Sequence, residues 1–201
     1  MDIKELHKNL RIVEEYEFSF ARRLGKGVIE KPKISVWLVL LPILFVHYAQ
    51  RIRQYKTGLQ QFCDGVQHTR KFALGETVDE LQGTAQTPDY RSSFLRGHPD
   101  GGPAVEEVLR QQLAEIALLR DHFRRLLTTT SADDYGVMVR KAYGTESSYR
   151  DFLEQLEQVE ERVRLAVLQA FQPGPAAQEV EDRMTRLSKD LREEEIRFIF
   201  R

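Results

Sequence analysis

The chain has 201 residues, of which 41% are apolar and 30% charged, and its 30 Lys and Arg almost balance 31 Asp and Glu. A single cysteine, Cys63, excludes an internal disulfide and any site made only of thiolates from one chain. The charge is uneven: 13 basic against 7 acidic residues over 1–74, 8 against 11 over 75–144 and 9 against 13 over 145–201, a distribution unlike that of a uniformly basic nucleic-acid binder, so no nucleic-acid partner is expected.

Residues 3–24 read as an amphipathic helix, with Ile3, Leu6, Leu10, Val13, Tyr16, Phe20 and Leu24 recurring every three or four positions. Gly25 and Gly27 are stop signals, and Arg22 and Arg23 suit a helix C-terminus. Pro32 holds Lys31 extended and makes 25–33 a connector, so 1–33 reads as a basic amphipathic N-terminal helix with its connector.

The stretch 34–49 is the least polar part of the chain, and Val36–Val46 has no polar face. As a helix its roughly 16 residues reach about 24 Å, short of the hydrocarbon core of about 30 Å. By length it competes as a span, as a hairpin entering one leaflet, or as a buried core helix. Trp37 and Tyr48 stand near its ends, where amphipathic aromatics settle at a lipid boundary. Arg22, Arg23, Lys26, Lys31 and Lys33 precede it and Arg51, Arg53 and Lys56 follow, placing headgroup-binding charge on both flanks. Two basic flanks favour both ends on one side, and Pro42 near the midpoint removes the hydrogen bond to the Leu38 carbonyl and bends the segment. The side chains expected to insert are Trp37, Leu38, Leu40, Leu41, Pro42, Ile43, Leu44, Phe45 and Tyr48. A secretory signal is not expected, because the run begins far beyond a usual n-region and no A-x-A site follows.

After this segment, Ile52, Tyr55, Leu59, Phe62 and Val66 place a membrane-proximal helix over 50–74. From Gly75 to Pro103 the chain turns Gly- and Pro-rich, most of all at "RGHPDGGP" (96–103), and 75–103 reads as a loop or linker; Thr77 with Glu80 matches a capping box for a short helix over about 78–86. The segment 104–201 reads as a helical-bundle domain. Val105, Leu109, Leu113, Ile116, Phe123 and Leu127 mark a helix over 104–127, and Ser131 with Asp134 caps a short helix ending at Gly144. Tyr149, Phe152, Leu156, Val159, Val163, Ala166 and Ala170 form a heptad-like seam over 146–171, and "QPGP" (172–175) precedes a last helix. The expected fold is all-α: long amphipathic helices in a bundle or coiled-coil-like hairpins, with one very apolar, Pro-kinked helix.

Residues 31–56, with their Lys-Pro connector, SVW start, Pro-centred apolar stretch and basic exit, resemble a segment of uncharacterised bacterial membrane-associated helical proteins, and "DDYGVMVRKAYG" (133–144) is a fainter echo. The resemblance implies a bacterial membrane-associated protein and carries no activity, and the apolar run with its basic flanks points to the cytoplasmic face of the inner membrane.

Chemical motifs are sparse. His47 sits at the edge of the apolar run, and Asp64 and His68, four apart, share a helix face as half a metal site or an acid–base pair. Glu14, Glu15 and Glu17 put carboxylates on a bundle helix, but none of the five histidines follows a Glu by three positions, as a di-iron site requires. No phosphate loop, dinucleotide fingerprint, G-x-S-x-G or H-E-x-x-H occurs, so no metal or cofactor is expected. Phe198, Ile199 and Phe200 beside Arg197 and Arg201 suit either core docking or contact with a membrane or partner. The favoured reading is a membrane-anchored interaction or scaffold protein that associates with itself or another protein through helices 104–171, and binds lipid. The alternatives are a small membrane-surface enzyme using His47, Asp64, His68 and Arg51 on an amphiphilic substrate, or a helical-bundle adaptor that encloses 34–49.

Overall fold

The computed structural model describes residues 2–29, 42–84, 90–96, 102–172 and 174–201, with side chains of α2 only from Tyr55 onward and those of Phe62, Ser93 and Ala176 excepted. Every regular element among these residues is an α-helix: α1 (Ile3–Val28), α2 (Pro42–Gln82), α3 (Tyr90–Arg96), α4 (Pro103–Leu127), α5 (Tyr135–Tyr143), α6 (Glu146–Phe171) and α7 (Pro175–Ile199). The fold is an all-α bundle.

Side-chain pairs fix how the helices run. Arg70 faces Glu17 and Gln82 faces His7, so α1 and α2 are antiparallel. Glu80 accepts from both Arg120 and Arg124 while Arg70 lies near Glu115, so α2 and α4 run parallel. His122 stacks on Phe152 while Glu115 lies near Glu160, and Arg192 pairs with Glu160 while Arg164 lies 3.8 Å from Asp182, which sets α6 antiparallel to α4 and to α7. The ends of α2 and α4, the start of α6 and the short α5 therefore gather at one end of the bundle. The other end holds the C-terminus of α1 and the α6–α7 turn.

One core joins elements from the whole chain. Leu6 and Val13 of α1, Ala73 and Leu74 of α2, Ile116, Leu119 and Phe123 of α4, Met138 of α5, Leu156 of α6 and Ile196 of α7 all belong to it. Each large side chain buried in this way stabilises the fold by about 1.5–3 kcal/mol relative to exposure. Asn9, fully buried on α1, donates to the carbonyls of Leu127 (3.0 Å) and Thr129 (2.8 Å) and so satisfies acceptors left open where α4 ends.

Several boundaries differ from the sequence reading. α1 passes Gly25 and continues to Val28; at Gly27 a Cβ would lie 2.7 Å from Leu187 Cδ1, so this glycine marks the close approach of α7 and not a helix end. The linker expected from Gly75 is helical to Gln82, because Phe72, Ala73, Leu74, Val78 and Leu81 pack against the core on both sides of the glycine. Thr77 is buried within that helix and its hydroxyl donates to the Ala73 carbonyl at 2.7 Å, so it caps nothing. The N-cap of α5 is Asp134, accepting from Val137 N–H at 2.9 Å, whereas Ser131 stands outside the helix with φ 54°. The expected bend at Pro42 involves residues 38–41, which lie outside the described residues, as do Lys31 and Lys33.

Candidate functional site

Charged side chains sit where the helical stripes would place apolar ones. Glu17 of α1 falls four residues after Val13 and three before Phe20, on the buried face, and is 6% exposed. Across from it Arg70 of α2 is also buried, with Nη1 at 2.9 Å from both Glu17 carboxylate oxygens and Nη2 at 3.4 Å from Glu160. Arg192 of α7 is 4% exposed and donates to the same Glu160 oxygen at 2.7 Å, with Glu157 4.0 Å away. Two arginines thus share Glu160 between them, and four helices meet in one ion-pair chain. Burial disfavours the Glu160 carboxylate, but Arg192 and Arg70 outweigh that and hold its pKa below the ordinary glutamate range. The Arg70 guanidinium shifts upward: Glu17 and Glu160 outweigh a burial penalty of the opposite sign.

Glu115 of α4 completes the layer without joining the chain. It is 9% exposed and accepts no hydrogen bond from any described residue. Burial pushes its carboxyl up to about 7 and the nearby Glu160 adds to the effect, against the pull of Arg70 and Arg192. Glu115 borders a cavity of about 360 Å³ between α1, α2, α4, α6 and α7. Phe20, Leu24, Val66, Val163, Val167 and Met184 give it apolar walls, and Thr69, Gln112, Thr185 and Ser188 add neutral polar groups. At its rim Lys189 pairs with Glu157 and Arg164 with Glu161, while Glu181 Oε2 is buried with no hydrogen-bond partner.

Towards α5 the layer becomes aromatic. Tyr16 and Tyr149 both donate to Glu195, the latter at 2.5 Å, and Tyr16 stacks on Tyr135. Burial raises the Glu195 pKa despite these two donors. His122, stacked on Phe152 at 4.3 Å, is held neutral: burial pushes its pKa down to about 3, with Arg70 and Arg125 adding to the shift. One ring nitrogen, Nδ1, lies 2.7 Å from the Tyr143 hydroxyl. These groups fix the geometry of the layer, and Glu115 is a carboxyl whose pKa lies near neutrality.

The residues singled out in the sequence fall elsewhere. Asp64 and His68 are on the exposed side of α2, and Asp64 pairs with Lys71 at 3.5 Å. Cys63 is buried, and burial raises its thiol pKa, as suits a small core filler. Glu17, one of the three carboxylates of "VEEYEF", enters the buried network, while Glu14 and Glu15 face solvent. His47 and the insertion candidates Pro42, Ile43, Leu44, Phe45 and Tyr48, with Arg51 and Arg53, lie on the part of α2 whose side chains are not described; Trp37, Leu38, Leu40 and Leu41 lie outside the described residues. Arg22, Lys26 and Lys56 are exposed, and Arg23 pairs with Glu194 at 2.6 Å. Ile199 docks in the core and Phe200 packs against it, whereas Phe198 is 79% exposed. Of the seam over 146–171, Tyr149, Phe152, Leu156, Val159 and Ala166 are buried inside the chain's own bundle, and Val163 and Ala170 are partly buried. Among the described residues no group of three or more His, Cys, Asp or Glu side chains is arranged to hold a metal, and no helix is long and apolar enough to cross a membrane.

The sequence reading missed Arg70, Glu115, Glu160 and Arg192. Their signal was present as charge inside apolar stripes: Glu115 precedes Ile116 and lies four before Leu119, and Glu160 lies four after Leu156. Set against protein-family models, curated proteins and solved structures, the chain matches none.

Proposed function

We propose that this chain is a membrane-held helical interaction protein, attached through 34–49 to the cytoplasmic face of a bacterial inner membrane, with its bundle presented to protein partners or to a second copy. The observation that carries this reading is the register of α2. With Arg70 opposite Glu17 and Gln82 opposite His7, the last turn of α1 lies level with about residue 60 of α2. The helix from Pro42 to that level adds on the order of 25 Å at 1.5 Å per residue. That length carries the second half of the apolar run, and the bundle has no α1 beside it there.

A second observation supports the same end. Arg183 donates to the Val28 carbonyl and Leu187 lies against Gly27, so the α6–α7 turn extends beyond the end of α1. Leu165, Phe171 and Val180, on both arms of that turn, are 45%, 62% and 43% exposed. Apolar side chains at the end from which an apolar segment departs suit contact with a lipid surface. Exposed Arg22, Lys26 and Lys56 lie on the adjoining turns of α1 and α2, where anionic headgroups attract each by about 1 kcal/mol. With the α6 seam buried, association with a partner uses the outer faces of the helices.

Fractionation of expressing cells tests the reading. The wild-type chain is expected in the membrane pellet, resistant to alkaline carbonate and released by detergent, and the double variant Leu40→Arg, Leu44→Arg is expected in the supernatant. Wild-type protein recovered in the supernatant without detergent contradicts the proposal.

A further inference from the structure

We propose that the cavity between α1, α2, α4, α6 and α7 binds an organic ammonium ion with an apolar body, its nitrogen donating to Glu115. The charges around the cavity are otherwise spent on each other. Arg70 serves Glu17 and Glu160, Arg192 serves Glu160 and Glu157, Lys189 serves Glu157, and Arg164 serves Glu161. One carboxyl, Glu115, stays outside these ion pairs, and one oxygen of Glu181, a carboxylate near Arg164, lacks a hydrogen bond. Glu115 is nine-tenths buried, borders the cavity and receives no hydrogen bond from a described residue, and Glu181 Oε2 at the rim is buried without a partner. A buried polar group without a partner costs stability, and a donor brought by a ligand removes that cost.

Charge decides the class of ligand. The groups facing Glu115 are Arg70 from α2, Glu160 from α6 and Arg192 from α7, all locked in ion pairs, with Glu17 of α1 behind Arg70. An anion entering here meets arginines already committed to Glu17 and Glu160, and the Glu115 carboxyl beside them. A cation meets the charge that is missing. Phe20, Leu24, Val66, Val163, Val167 and Met184 provide an apolar lining for the rest of the molecule, and about 360 Å³ is within the range of small-molecule sites. The site stands independently of the membrane reading.

Calorimetric titration of the 201-residue chain in a nonionic detergent buffer, with three probes of similar shape, tests the proposal. At pH 8, 2-phenylethylammonium is expected to bind once per chain, at least about tenfold tighter than 2-phenylethanol, with 3-phenylpropionate weakest. Glu115→Gln is expected to weaken the cation by about tenfold or more while leaving the alcohol unchanged. Lowering the pH to 5.5 is expected to weaken cation binding in the wild type and not in the variant, because the probe keeps its charge and Glu115 loses its own. Met184→Trp, which fills the cavity without touching its charge, is expected to abolish binding of both cation and alcohol, and Asp64→Asn to change nothing. Equal affinity for cation and alcohol, preference for the propionate, no binding of the cation, or an unchanged affinity in Glu115→Gln overturns the proposal.

Discussion

Glu115 illustrates how burial and charge compete at one side chain. Folding raises its pKa from 4.5 to about 7, so between those values the folded chain keeps a proton that the unfolded chain has released. The stability contributed by this group is therefore complete below the window and falls as pH rises through it. Glu115→Gln removes the titration, so the variant gains on wild type by about 2 kcal/mol between pH 5 and pH 8. Urea unfolding of both proteins at the two pH values measures this, and a pH-independent difference contradicts it. His122 contributes in the opposite sense. Its folded pKa is depressed from 6.5 to about 3, so its share is present above pH 6.5 and drains away on acidification. Other shifted carboxyls, Glu195 upward and Glu160 downward among them, add their own slopes to the wild-type profile, and only the comparison with the variant isolates Glu115. The apolar members of the stripes, such as Val13, Ile116, Phe123 and Leu156, were legible in the sequence and are buried. The charged members were not, because a periodicity argument treats a carboxylate at a core position as an interruption, whereas here its partner arrives from another helix.

Helices bounded by strong signals were read closely. α6 runs from Glu146 to Phe171 as its seam predicted, and α4 begins one residue before the expected start, at Pro103. Glycine misled the reading elsewhere. A glycine inside a helix costs about 1 kcal/mol, less than a single buried leucine returns, so Gly75 is carried through by its neighbours' packing and Gly25 by the continuation of α1 against α7. Gly144 is different in kind. It closes α5 with φ 76° and ψ −42°, a backbone that side chains avoid, and its N–H donates to Arg140 O at 2.8 Å. No atom would obstruct a Cβ there, so Gly144→Ala is expected to cost at least about 1 kcal/mol from backbone conformation alone. A thermal melt of the variant checks this, and an unchanged midpoint shows that the turn relaxes freely.

At the scale of the molecule, the helical bundle and residues 42–49 of the most apolar stretch share one continuous helix, α2. The bundle was legible in the sequence because amphipathic periodicity repeats in every segment that packs. The environment of 34–49 was not legible, since length, Pro42 and the basic flanks fit lipid and protein alike, and the register of α1 against α2 shows only that α1 ends below the level of residues 42–49. Trp37, the only tryptophan, lies within that segment and reports on it alone. Its fluorescence in anionic vesicles is the most direct test of the central claim. With lipids brominated along the acyl chain the emission is expected to be strongly quenched, and aqueous iodide to have little effect. Emission indifferent to brominated lipid, whether open to iodide or shielded from it, would contradict the account.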